Sequence, residues 1–145
     1  MSGNHIRGIS ATLSLLDENL CEFEQWANGH EVRSVLYEVR NTLSGVQRQE
    51  IAKRVAKMQR LLREVRDALS LEGTVRSVDR MIVASCAIQW SSLVELESNR
   101  LRRYGEVPPT LAQYLDPVLT VLDDDLRAIS KTVLQSERRL SLEPE

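Results

Sequence analysis

Apolar residues near the start of the chain recur at alternating steps of three and four, which is the spacing of one face of an α-helix. The positions are Ile6, Ile9, Leu13, Leu16, Leu20 and Phe23. Asn28 and Gly29 follow this stripe, and such a pair suits the left-handed backbone that closes a helix. The pattern therefore predicts an amphipathic first helix that ends near Asn28.

Apolar positions with the same helical period continue from Val32 to Leu69. They pass through "LSGVQ", where Ser44 and Gln47 match a capping box and Gly45 weakens a helix interior by about 1 kcal/mol relative to Ala. Two interpretations are open here: one helix from about 31 to 70, or two helices that meet near Ser44. We favour the single long helix, straight or bent, because no loop residues widen the break.

A turn at Gly73 precedes a third predicted helix, which is expected to run from Val75 to about Arg103. Gly105 and the two prolines that follow it mark the end of this helix, because glycine closes helices and proline cannot continue them.

The fourth helix is expected to begin after Asp116, with Pro117 at its first position, where proline is well tolerated. Its apolar positions are Val118, Leu122, Leu126, Ile129 and Val133. Together these segments predict an all-α fold, an antiparallel up-and-down bundle of four main helices in a single domain over residues 1–145.

The third predicted helix contains an uncharged stretch, "MIVASCAIQWSSLV", at residues 81–94. A bilayer-spanning helix needs about 20 residues, so we expect no membrane span here. Apolar side chains cover roughly two thirds of this helix's circumference, which is more than the single stripe of a surface helix. The excess predicts a further neighbour, either an additional helix formed by a break at Ser44 or a second copy of the chain in a homodimer.

Three residues of this helix are the candidate interface: Val83, Trp90 and Val94. Trp90 is the type of residue that anchors interfaces. Gln89 lies in the same apolar arc, where an unpartnered amide would cost about 1–3 kcal/mol, so we expect it to be buried and hydrogen-bonded. The alternative is a ligand contact in a pocket with Cys86 and Trp90, which would indicate an enzyme or a small-ligand binder.

Four basic side chains share the side of the second helix that lies opposite its apolar stripe: Lys53, Lys57, Arg60 and Arg63. Such a row can follow a phosphate backbone, which makes a phosphate-surface or nucleic-acid binder the alternative function. However, Glu64 and Asp67 lie four residues after Arg60 and Arg63, at the spacing of helical ion pairs. The net charge of −2 also gives no general attraction to nucleic acid. We therefore rank this function second.

Catalytic chemistry finds little support in the residue pattern. Nucleophilic catalysis usually needs a histidine base, and the two histidines, His5 and His30, are expected at the surface. The aspartates at 123–125 diverge by about 100° per residue on a helix, so they cannot converge on one metal ion. We expect no catalytic residue, metal or cofactor, and favour a non-enzymatic protein.

The spacing of the two cysteines and the first ten residues of the chain bear on the compartment. Cys21 and Cys86 have neither metal-site nor disulfide spacing, which is typical of a reducing cytosol. The opening "MSGNHIRGIS" lacks the apolar run of a secretory signal, so we expect a cytoplasmic location. The sequence thus predicts a protein–protein interaction or regulatory module that acts through its surface, as a homodimer.

Overall fold

A computed structural model describes residues 2–142 of the chain, with side chains for residues 2–135. Five α-helices, one 3₁₀ turn and one small β-hairpin make up this part, so the predicted all-α class is confirmed. The chain divides between Thr74 and Val75 into two compact parts, which we call the N-terminal unit and the C-terminal unit. The single domain and the four-helix antiparallel bundle stay predictions.

The first helix, α1, spans Gly3–Ala27, in agreement with the apolar stripe of the sequence. Asn28 follows as its C-cap, and Gly29 then takes a φ of +87°, which lies in the left-handed region that favours glycine. A Cβ at Gly29 would also lie 2.8 Å from a guanidinium nitrogen of Arg48. The predicted helix end is confirmed, and the positive φ favours glycine at this turn.

The prediction of one long second helix is wrong. Strands β1 (Val32–Arg33) and β2 (Glu38–Val39) instead form an antiparallel hairpin, in which Val32 pairs with Val39. Helix α2 spans only Gly45–Leu69. The segment before it is rich in valine, arginine and tyrosine, and its β-branched and aromatic residues are compatible with a short strand pair as well as with a helix stripe.

The capping box at the start of α2 explains why the helix cannot continue backwards. Ser44 Oγ accepts a hydrogen bond from the Gln47 backbone N–H at 3.1 Å, and Gln47 Oε1 accepts one from the Ser44 backbone N–H at 3.0 Å. Ser44 is extended, with φ −72° and ψ 164°. These two bonds satisfy backbone donors that a helix end leaves unpaired. The break at Ser44 in the alternative interpretation is therefore correct, but the helix expected before it is replaced by the hairpin.

The Asn41 side chain ties the hairpin to the end of α1. Its Nδ2 donates to the Trp26 carbonyl at 2.7 Å and to the His30 carbonyl at 3.2 Å. Its Oδ1 accepts from the Leu43 backbone N–H at 3.2 Å. One side chain therefore closes the end of α1, holds the hairpin and sets the entry into α2.

Helices α1 and α2 pack antiparallel. Ser10, early in α1, donates through its Oγ to the Glu72 carbonyl beyond the end of α2 at 3.4 Å, whereas Arg48 at the start of α2 lies beside Gly29. Three apolar residues are buried in this unit: Leu20, Ala27 and Val55. They form a single narrow seam between the two helices.

In the C-terminal unit, helix α3 spans Val78–Val94 and is capped by Ser77, whose Oγ accepts from the Arg80 backbone N–H at 3.3 Å. The predicted continuation to Arg103 is wrong, because the chain turns after Val94 and forms a short helix, α4 (Ser98–Leu101), and a 3₁₀ turn. Asp116 stabilises this turn by accepting hydrogen bonds from the Ser98 backbone N–H at 3.3 Å and from Ser98 Oγ at 2.9 Å.

The last helix, α5, spans Pro109–Leu142, so the predicted start at Pro117 is also wrong. Pro109 occupies the first turn, where the N–H that proline lacks would have no partner in any case. Pro117 lies inside the helix and removes a single backbone donor, whose acceptor would be the carbonyl of the exposed Gln113. Water can hydrogen-bond to that carbonyl, and the helix continues.

Helices α3 and α5 also pack antiparallel. Trp90, late in α3, lies under the Arg127 guanidinium, 5.3 Å from its ring centroid, while Ser98 beyond α3 meets Asp116 near the start of α5. Cys86 and Leu119 are the buried apolar residues of this unit. This seam is as narrow as the first.

Most apolar side chains of the chain lie outside these two seams. Among the described side chains, five apolar residues are buried and 22 large apolar residues are exposed. Neither seam covers the apolar surface that the sequence supplies.

The Asn41→Ala variant tests the tie between the hairpin and α1. Removing the amide leaves the Trp26 and His30 carbonyls without their donor, so the free energy of unfolding should fall by about 1–3 kcal/mol. Urea unfolding followed by circular dichroism measures this. Asn19→Ala, an exposed asparagine of α1, is the matched control and should change stability by less than about 0.5 kcal/mol. Equal effects of the two variants would contradict the role of Asn41.

Candidate interaction surfaces

The three predicted interface residues of α3 lie together on the side that faces α5. Val83 and Val94 are half-buried and Trp90 is 39% exposed. Val83 and Trp90 line an open cleft with Leu126 of α5, and Val94 lines a neighbouring cleft with Leu119. Their own helix pair therefore covers them in part, and their contact with a partner stays a prediction.

The cleft between α3 and α5 has a volume of about 380 Å³ and a mostly apolar lining. Its residues are Val83, Cys86, Ala87, Trp90, Leu126, Arg127 and Ser130. Arg127 Nε lies 3.3 Å from Asp123 Oδ2, so the guanidinium above Trp90 is held by an ion pair within α5. No histidine or carboxylate is among the lining residues, so the Cys86 thiol has no general base beside it there.

Gln89 is exposed on α3 and does not line this cleft. On a helical wheel it lies about 60° from the buried Cys86, which faces α5. Because α3 packs against α5 alone within this unit, the arc that contains Gln89 stays open to solvent. The expectation of a buried, hydrogen-bonded Gln89 is therefore not met within the C-terminal unit.

Helix α5 carries an exposed apolar row that we call the α5 stripe: Leu111, Val118, Leu122 and Ile129. These side chains are 38–50% exposed and lie within about 40° of one another around the helix. Leu126 and Val133, by contrast, are half-buried toward α3. The sequence pattern placed all of these residues except Leu111 on one inward face, and the structure divides that face into a covered part and an open part.

A second exposed apolar feature is the loop between β1 and β2, which we call the hairpin tip: Val35, Leu36 and Tyr37. Their exposed fractions are 93%, 97% and 61%. The turn is closed by a hydrogen bond from the Ser34 backbone N–H to the Tyr37 carbonyl at 3.0 Å. The sequence did not predict this tip, because Val35 and Leu36 also fit the helical stripe of residues 32–43.

The four predicted basic residues of α2, which we call the basic face, are all exposed: Lys53, Lys57, Arg60 and Arg63. Lys53, Lys57 and Arg60 project from the side of the helix roughly opposite the buried Val55, whereas Arg63 lies about 80° from it and lines a cleft with residues of α1. Within the described part of the chain none of them makes an ion pair, so the expected pairs with Glu64 and Asp67 do not form. Asp67 instead lies 3.1 Å from Arg66 Nε.

The neighbouring ion pair of α2 joins Arg54 Nε to Glu50 Oε1 at 2.8 Å. This hydrogen bond and the positive charge of Arg54 lower the pKa of the Glu50 carboxyl. Glu50 therefore stays ionised and bound to Arg54, and the positive charge of Lys53, a member of the basic face, also contributes to this lowering of the pKa.

The acidic run at 123–125 behaves as a helix surface. Asp123 pairs with Arg127 four residues later, and Asp124 and Asp125 are exposed. Among the described side chains, residues 2–135, no three histidine, cysteine, aspartate or glutamate residues converge in a way that would hold a metal ion.

Comparisons of the chain with protein-family models, with curated proteins and with solved structures find no match. Of the helices that the structure describes, none is both long and apolar enough to cross a membrane. The function of this chain has to be inferred from the chemistry of its own surfaces.

Replacing Leu36 with serine tests whether the hairpin tip contributes to the fold. Leu36 is 97% exposed, so Leu36→Ser should change the free energy of unfolding by less than about 0.5 kcal/mol. Leu20 is 0% exposed, and Leu20→Ala should cost about 2–5 kcal/mol. Urea unfolding of both variants measures the contrast, and a loss above 1.5 kcal/mol at Leu36 would show that the tip is covered by its own chain.

Proposed function

We propose that this protein is a non-enzymatic interaction module that acts through its apolar surfaces, and that it does so as a homodimer. The observation that carries the proposal is the ratio of 22 exposed to five buried apolar residues among the described side chains. Soluble monomers seldom leave large contiguous apolar patches open to water. A partner that covers these residues stabilises the complex by roughly 25 cal/mol per Å² of apolar area removed from water.

The character of the clefts supports binding over catalysis. The cleft between α3 and α5 is lined by apolar residues with one ion-paired arginine, and its single thiol lacks a neighbouring base. Such a lining suits side chains of another protein better than a reacting substrate, which needs convergent polar groups.

A second copy of the chain is the proposed partner, because most soluble oligomers are symmetric homo-oligomers. Both cysteines are free thiols, Cys21 exposed and Cys86 buried, which is compatible with the proposed cytoplasmic location.

Size-exclusion chromatography with light scattering tests the homodimer directly. The chain has a mass of 16.5 kDa, so the proposal predicts a species of twice that mass at concentrations of about 100 μM. Dilution toward 1 μM should shift the elution toward the monomer if association is reversible. A mass of 16.5 kDa throughout this range would contradict the homodimer.

A second candidate function, binding of a phosphate surface or nucleic acid, is favoured by the four exposed cations of the basic face. Such binding weakens steeply with salt, because each neutralised phosphate releases counterions. Fluorescence anisotropy with a generic labelled DNA or RNA, at about 50 and 200 mM salt, detects it.

The double variant Lys57→Glu and Arg60→Glu should abolish that binding, whereas Arg102→Glu with Arg103→Glu, an equal change of charge on the exposed 3₁₀ turn, should leave it largely intact. Equal losses in both variants would indicate general attraction to charge, and no binding at low salt would remove this function.

A further inference from the structure

We propose that the α5 stripe pairs with the same stripe of a second copy, antiparallel and across a two-fold axis centred at the level of Thr120. This inference rests on the proposed function and names the surface through which the homodimer forms. It is carried by the spacing of the stripe, by the polar pair beside it and by the placement of the charges of α5.

The stripe is symmetric about Thr120. Leu111 and Ile129 lie nine residues on either side of this position, and Val118 and Leu122 lie two residues on either side. In an antiparallel two-fold pair, residues at equal distances before and after the centre face one another. Leu111 therefore meets Ile129 of the partner subunit, and Val118 meets Leu122 of the partner subunit, with no apolar residue left opposite a charge.

Tyr114 and Asp125 provide a matching polar contact on one flank of the stripe. They lie within about 20° of one another around the helix. Tyr114 lies six residues before Thr120 and Asp125 five residues after it, so the two-fold pairing brings Tyr114 close to Asp125 of the partner subunit. The Tyr114 hydroxyl, on a side chain 74% exposed, then donates to a carboxylate that has no partner within the described residues.

The other charged residues in the described part of α5 lie away from the stripe. Asp124 and Lys131 project from the opposite side of the helix, and Asp116, Asp123 and Arg127 are turned toward the α3 side. Asp125 is thus the one charged residue in residues 109–135 that borders the stripe, and the pairing gives it a donor. An apolar row bordered by one carboxylate, which gains a hydrogen-bond donor from the partner subunit, is suited to a contact between two copies of the same surface.

The length of the stripe sets the expected strength of the contact. From Leu111 to Ile129 the helix rises about 27 Å at 1.5 Å per residue. A paired row of this length, about one helix wide, provides less than the roughly 800 Å² per partner of a standard stable interface. The dimer is therefore expected to dissociate in the micromolar range, about 1–100 μM.

A charge-exchange experiment tests the register. In the single variants Val118→Glu and Leu122→Lys, the new charge faces an apolar residue of the partner subunit at each of the two central contacts. Each single variant should therefore raise the dimer dissociation constant at least tenfold. The double variant Val118→Glu with Leu122→Lys places each glutamate opposite a lysine and should recover most of the affinity. Analytical ultracentrifugation of the full-length chain measures all three.

The control places two new charges on the far side of the same helix, Gln113→Glu with Thr120→Glu, and should leave dimerisation unchanged. Circular dichroism verifies that each variant keeps the helix content of the wild-type chain. A monomeric wild-type chain overturns the homodimer and this inference together. If the wild-type chain is a dimer and the single variants do not weaken it, the stripe pairing is overturned and the homodimer stands. The same conclusion follows if the double variant Val118→Glu/Leu122→Lys folds but does not recover the dimer affinity.

Discussion

Two helices packed side by side bury only the narrow strip where they touch, and both units of this protein consist mainly of one such pair. The seam between α1 and α2 buries Leu20, Ala27 and Val55, and the seam between α3 and α5 buries Cys86 and Leu119. Any apolar residue more than about 90° from the seam faces water. The open apolar surface of the chain, and hence the proposal that it acts by binding another chain, follows from this limit.

Hydrogen bonds at the helix ends decide which side chains reach that open surface. The capping box at Ser44 shortens α2 and releases the preceding segment to form the hairpin, which exposes Leu36. The contact between Ser98 and Asp116 turns the chain after α3, and α5 then begins at Pro109. Had α5 started at Pro117, Leu111 would not share a helix with Ile129, and the symmetric stripe would not exist.

The periodicity of the sequence was sufficient for the helical class and for the end of the first helix, because both depend on local spacing and on glycine chemistry. The hairpin was missed because Val32, Val35 and Val39 satisfy a helical period as well as a strand propensity, and the capping box that decides between them is a soft signal. The exposed α5 stripe was missed for another reason. Periodicity places Leu122 and Leu126 on one apolar face, and only the position of α3 shows that Leu126 is half-covered while Leu122 is open.

The four residues of the basic face are exposed, and their role in binding stays a prediction. Their expected ion pairs do not form, because the Asp67 side chain contacts Arg66 instead of Arg63. The central claim is that apolar surface left open by the two seams is covered by a second copy. The dependence of the thermal unfolding midpoint on protein concentration, from about 1 to 200 μM, tests this claim most directly. A midpoint that rises steadily with concentration is the predicted result, since association stabilises only the folded chain. A midpoint that stays constant across that range would contradict the account.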